Sequence, residues 1–284
     1  MKLLTKVLPV DHNIFFFGDL HDGSSLCSHR GWETLVNMML SEYCGCSNNR
    51  GVEGGDDIEA ICIDDPRFDA DKLTQDLPLA QIDRAIRLRE PIKHLMLSKQ
   101  TGNHEDRLWK FGDITAHICA KLGVDYGTFT AKISIIDLNG LPMYKIYDTH
   151  GRRGVSSSAD DPIRREANMK LSLKRSLVRK AGDCAVMIKH HTHKLLVCEP
   201  HYELYLTDDG KHIYQGYTGV IQQGDYIDPD ARWYGNAGSF LKLYGEGTSG
   251  YAEKAEYDPA ELGFLILRVR ERKIVGLDAY KITI

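Results

Sequence analysis

Aspartate, asparagine and histidine stand in short clusters along this chain, most of them beside glycine. The clusters are Gly18-Asp19-Leu20-His21, Gly55-Asp56, Gly102-Asn103-His104-Glu105, Thr149-His150-Gly151 and His191-Thr192-His193. Carboxylate, amide and imidazole groups bind divalent transition metals, and a mixed nitrogen and oxygen set admits manganese, iron, zinc, cobalt or nickel. Two clusters place their donors two residues apart. On extended chain such residues point to the same side, so Asp19 converges with His21 and His191 with His193. The glycines allow tight turns and close backbone approach. A single piece of this kind is an ordinary turn or a structural histidine. The ordered set points to two adjacent metal sites.

Elements must bring these clusters together. Asn13 to Phe17 is a short apolar run stopped by Gly18-Asp19, which predicts a buried strand ending in a loop. Residues 31–44 read as a helix, as do residues 77–100, with Pro78 near the start and Pro91 as a break or kink. Lys132 to Ile136 and Met143 to Tyr147 read as strands around Asn139-Gly140. Residues 161–180 form a further helix candidate with Pro162 near its start. Cys184 to Ile188 returns to an apolar strand, and residues 263–269 with 273–277 resemble a closing hairpin. Helices alternate with strands early and hairpins gather late, so the expectation is a single mixed α/β domain over residues 1–284.

With these pieces in order, the sequence resembles the calcineurin-like metallophosphoesterase superfamily. The five clusters carry the resemblance, and Asn236-Ala237-Gly238-Ser239 is similar to the Asn-Pro-Gly-Ser segment common late in that family. The resemblance spans about residues 13 to 240. It implies a sandwich of two mixed β-sheets flanked by helices. It also implies that Asp19, His21 and His193 hold one metal, that Asn103, His150 and His191 complete the other, and that Asp56 bridges. Manganese is the favoured ion. Two divalent ions, set against two aspartates and a bridging hydroxide nucleophile, leave a centre of about +1 to meet a phosphate. His104 would protonate the leaving oxygen or stabilise its charge, with Glu59 as the residue that orients it; a structural salt bridge is the competing role for Glu59. Two departures stand out. The arginine of the protein phosphatase motif is missing after Asp56, and a bulky His190 replaces the usual small residue before His191.

The implied activity is hydrolysis of phosphoester bonds. A phosphodiesterase or nuclease is favoured over a phosphomonoesterase, and a non-catalytic interaction scaffold is the alternative from another class. The substrate is phosphorylated, with nucleotides and nucleic acid among the candidates. That preference rests on Arg152 and Arg153, placed to grip a phosphate, and on the seven basic residues between Arg164 and Lys180. Both features also read as solvated surface charge. Gly245 to Gly250 matches a dinucleotide-binding pattern formally, but no βαβ unit surrounds it, so it reads as a loop. Cys44-Gly45-Cys46 has poor spacing for a zinc knuckle. The net charge of −4 argues against coating nucleic acid by charge alone. Seven cysteines, an odd and scattered count, suit free thiols in a reducing compartment. No signal-like start and no run of roughly 18 apolar residues occurs, so the expectation is a cytoplasmic enzyme with no membrane partner.

Overall fold

The strand β2 (His12–Phe17) shows how the molecule is layered. All six of its residues are buried, and its side chains alternate between two cores. Ile14 and Phe16 enter a core shared with the second sheet, while Phe15 and Phe17 pack under helices. A strand buried on both faces loses the polar alternation of a surface strand, which is why it reads in sequence as a plain apolar run.

This is a computed structural model, and it describes residues 1–283 apart from 64, 66, 67, 69, 71, 72, 76, 220, 248–252, 254 and 255. In chain order the main elements are β1 (Lys2–Val7), β2, α1 (His29–Leu40), β3 (Asn49–Glu53), α2 (Pro78–Arg89), β4 (Met96–Lys99), α3 (Asn103–Asp106) and α4 (Ile114–Leu122). They continue as β5 (Thr130–Ile136), β6 (Pro142–Thr149), α5 (Pro162–Leu177), β7 (Val186–Lys189), β8 (Leu195–Cys198), β9 (Leu204–Asp208) and β10 (Ile213–Tyr217). The last are β11 (Trp233–Ala237), β12 (Gly263–Arg270) and β13 (Lys273–Lys281).

One sheet runs β1-β5-β6-β7-β11-β8 and the other β13-β12-β2-β3-β4, while β9 and β10 form a separate exposed hairpin. Parallel pairs stand beside antiparallel ones in both large sheets. The sheets face each other across Ile14, Phe16, Val52, Ile133, Ile146, Ile188 and Leu265. Trp32 and Leu35 of α1, Ile82 and Ala85 of α2 and Ile118 of α4 cover the outer face of the five-stranded sheet. Leu173 and Leu177 of α5 cover part of the six-stranded one. The result is the sandwich of two mixed sheets flanked by helices that the resemblance implied.

Local chemistry explains the helix starts. Ser28 caps α1 by accepting from the Gly31 amide, and Asp161 caps α5 through the Arg164 amide. One element departs from expectation. The helix from Pro78 stops at Arg89, just before Pro91, and Met96–Lys99 becomes the inward strand β4 instead of a continuing helix. Proline cannot donate to a helical carbonyl, so the chain turns there. Four residues are too few to display a strand period, and buried Ser98 and Lys99 hide the strand further. The glycine-rich stretch from Gly245 lies partly outside the described residues. All seven cysteines are free. Among the described residues no helix is long and apolar enough to cross a membrane.

Candidate metal centre

The strands β2, β3, β4, β6 and β7 all release their chains at the same end of the sandwich, and every predicted metal ligand sits just beyond one of these ends. Loops at the carboxyl ends of parallel strands are where α/β sheets bind ligands. The backbone there is unusual. Asp19, His21, Asp56 and His193 have φ of 53, 53, 53 and 52°, and His191 has 76°. Non-glycine residues rarely occupy the left-handed region, and such strain concentrates at functional sites. Cross-loop hydrogen bonds hold it: the Asp19 amide donates to Gly55 at 2.8 Å and the His21 amide to Asp56 at 3.0 Å.

The side chains gather in two sets. Asp19, His21 and His193 place donor atoms within 4.8 Å of one another, and so do Asp56, His150 and His191. His21 Nε2 and His193 Nε2 face each other at 3.3 Å. Two imidazole nitrogens around one tetrahedral ion, each at about 2.0–2.1 Å, would lie about that far apart. The Asp56 carboxylate reaches both sets, with Oδ2 3.3 Å from His150 Nε2 and 3.9 Å from His21 Nε2. Asn103 Oδ1 is 3.1 Å from His150 Nε2. Asp19 Oδ1 is fully buried, makes no hydrogen bond of good geometry and lies 3.3 Å from His193 Nε2. A buried carboxylate oxygen beside inward-facing imidazoles is a donor set that fits divalent cations.

Charge follows the same geometry. Burial opposes ionisation of Asp19, yet His193 and His150 hold its carboxyl down to about 2. Asp56 is likewise held well below the usual carboxylate range by His150, His104 and His21 despite its burial. Burial disfavours the charged form of His21 and His150 too, but Glu59 and Asp56 lift His21 to about 9, and Asp56 and Asp19 lift His150 to about 9. The carboxylates therefore make a pocket that favours positive charge.

Ring orientation is set from outside. His150 Nδ1 donates to the Gly54 carbonyl at 2.8 Å, which turns Nε2 toward Asp56 and Asn103. His21 Nδ1 meets Glu59 Oε2 at 3.0 Å. Such outer partners fix the tautomer of a metal-binding histidine. His104 packs edge-on against His21, ring centroids 4.4 Å apart. Its Nδ1 donates to the Glu59 carbonyl at 2.6 Å, leaving Nε2 for another partner. Burial, with His21 nearby, pushes His104 down to about 4. Glu59 thus touches His104 through its backbone carbonyl and turns its carboxylate to His21, a division of labour that residue type alone does not reveal.

The arginines are placed differently from one another. Both are exposed, but Arg152 donates to Asp106 Oδ2 at 2.7 Å and lies over the Phe129 ring. Along α5, Lys170 pairs with Glu166, and Lys174 pairs with Asp230.

Several residues that build the site carried no role in the sequence reading. Glu105 caps the neighbouring loop, accepting from the amides of Asp56, Asp57 and Gly102 at 3.1, 2.6 and 2.9 Å. Gly102 is required because a Cβ there would lie 2.0 Å from Asp56 Oδ1. Beneath the loop, Arg89 and Lys99 meet Glu53 and Asp57 in a fully buried ion cluster. The late segment closes the site: Asn236 Nδ2 donates to Thr192 Oγ1 at 2.6 Å, and Ser239 Oγ to the Asp19 carbonyl at 3.0 Å. Its signal was present in Asn236 to Ser239, though without an assigned contact.

The order of the motifs carries the resemblance to the calcineurin-like metallophosphoesterases, and the chain folds into two mixed sheets. Among solved structures it is similar to a zinc complex of Vps29 from Entamoeba histolytica, with 12% identity, 95% of this chain and 98% of that chain covered, and a TM-score of 0.37. It is also similar to a predicted phosphoesterase from Streptococcus pneumoniae, with 12% identity, the same coverages and a TM-score of 0.30. No family model and no curated protein matches the sequence.

Proposed function

We propose that this protein is a dinuclear metal-dependent phosphoester hydrolase that favours phosphodiesters. The observation that carries this reading is the Asp56 carboxylate, set between one group of Asp19, His21 and His193 and another of His150 and His191. Asp19, His21 and His193 would hold one divalent cation, and Asn103, His150 and His191 the other, with manganese the favoured ion. Two such ions supply positive charge for the phosphoryl oxygens and make water a stronger acid near neutral pH. Asp56 faces both positions, and Glu105 keeps it there through the loop amides. His104 stands beside His21 with its Nδ1 donating to the Glu59 carbonyl, so Nε2 is the atom that would face the leaving oxygen. It would serve as an acid there only as the imidazolium, a form that burial disfavours in the metal-free site. Glu59 acts on this arrangement from outside, through one contact to each imidazole.

The preference for diesters is supported by space. A cavity of about 480 Å³ adjoins His193, lined also by Ser156, Ser157, Arg165, Met169 and Lys194. It offers room for a second substituent on the phosphorus, with Arg165 and Lys194 set against Asp258 and Glu261 on its wall and Arg165 paired with Asp258 at 3.5 Å. Arg152 and Arg153 flank the His150 side as further candidates for the phosphate. The test is hydrolysis by protein loaded with manganese. Cleavage of bis-p-nitrophenyl phosphate in preference to p-nitrophenyl phosphate is expected. The reverse preference removes the diester reading, and cleavage of neither removes the enzyme.

A further inference from the structure

His190 stands where related motifs carry a small residue, and its ring is fully buried. Its surroundings are specific. Nε2 lies 2.9 Å from Asp148 Oδ1, and the other oxygen of Asp148 accepts a short hydrogen bond from Gln100 Nε2. The ring lies against two glycines. A Cβ on Gly54 would fall 2.1 Å from His190 Cγ, and one on Gly18 would fall 3.1 Å from Nδ1. Nδ1 itself is buried without a hydrogen-bond partner. An apolar side chain of similar shape would fill the space with no orphaned nitrogen, so packing alone does not account for an imidazole here.

Each of these neighbours leads to a different ligand. Gly18 precedes Asp19, and Gly54 is two residues before Asp56. Asp148 is two residues before His150, Gln100 is three before Asn103, and His190 itself precedes His191. Gly54 also accepts the hydrogen bond that orients His150. One ring, itself at the head of the His191 loop, therefore meets the loops of Asp19, Asp56 and His150 directly and that of Asn103 through the Asp148–Gln100 hydrogen bond.

We infer that His190 is a positioning residue that sets the spacing of both metal positions at once, through the Asp148–Gln100 chain and the Gly18–Gly54 groove. This rests on the two-metal reading of the site. The test is isothermal titration of manganese into chelator-stripped protein, with the thermal midpoint of the metal-free form measured alongside. His190→Ala should weaken both binding events, each by about 10–100-fold, the usual effect of losing an outer partner of a metal site. His190→Gln, whose side-chain amide can still donate to Asp148, should recover most of that loss. Should His190→Ala not fold, Asp148→Asn, which removes the charge shared by His190 and Gln100, should weaken both events in the same direction. A lower midpoint with wild-type affinities, or weakening confined to one ion, overturns the inference. Wild-type protein that binds no manganese instead refutes the metal centre itself, and His190 with it.

Discussion

His104 and His21 touch edge to face, yet the protein treats their charges in opposite ways. Glu59 gives His21 a carboxylate and His104 only a carbonyl, so His21 is lifted to about 9 while burial leaves His104 at about 4. The consequence can be measured residue by residue. His104→Asn should lower kcat by about 10²–10⁴, the usual range for a proton-transfer group, with metal content unchanged by atomic absorption. Loss of metal from that variant would move His104 from the chemistry to the ligand set. Away from the site, His12 offers a pH prediction. It is buried between the sheets, donating from Nδ1 to Pro9 and accepting at Nε2 from the Tyr144 hydroxyl. Burial pushes it down from 6.5 to about 4. The unfolded chain therefore takes up a proton first, so this stability is complete above pH 6.5 and is lost as pH falls toward 4. A displacement of that size is worth about 3 kcal/mol. Urea unfolding at pH 7 and pH 4.5 should show a smaller loss for His12→Gln than for wild type. Equal losses would place the acid sensitivity elsewhere.

At the scale of elements, the readable features were those whose physics is local. Asn13 to Phe17 carried enough apolar character to mark β2, Asn139-Gly140 marked the β5–β6 turn, and Pro162 marked the start of α5. The ligand clusters were readable because glycine and the donor types recur at strand ends. What escaped depends on partners distant in sequence. β4 is a strand because β3 lies beside it, and its Lys99 is buried because Glu53 and Asp57 meet it. No local pattern announces such a lysine. Glu59 was readable as a neighbour of Asp56, but which histidine its carboxylate meets depends on the β2 loop. The ion cluster yields its own prediction. Arg89 of α2 ties the helix to β3 through Glu53 and to the Asp56 loop through Asp57. Arg89→Ala takes a counter-charge from the buried Glu53 carboxylate, which Arg89 and Lys99 hold down to about 2 against burial, and from Asp57, which burial already pushes up to about 8. It should therefore cost about 3–5 kcal/mol in denaturant unfolding. A cost below about 1 kcal/mol would mean that Lys99 alone balances the pair.

Across the whole molecule, the candidate metal centre is also a joint. Asp19, Asp56 and Asn103 follow strands of the five-stranded sheet, while His150 and His191 follow strands of the six-stranded sheet. Each proposed ion would take donors from both sheets, since His193 completes the set of Asp19 and His21. Binding then adds a link across the open end of the sandwich, where the interface is polar rather than packed by the Ile14–Ile188 core. A ligand that binds only the folded state stabilises it by about 2.7 kcal/mol when present at 100 times its Kd. For a domain of this size each kcal/mol moves the melting midpoint by roughly 2–4 °C. Manganese at that excess should therefore raise the midpoint by about 5–10 °C per bound ion, and EDTA should reverse the rise. Asp56→Asn, which weakens the one carboxylate facing both positions, should abolish most of the shift measured from its own metal-free midpoint, which itself falls because the Asp56 charge pairs with His150 and His21. If the Asp56→Asn protein gains as much as wild type, the ions do not share that carboxylate, and the two sets of donors act as separate sites.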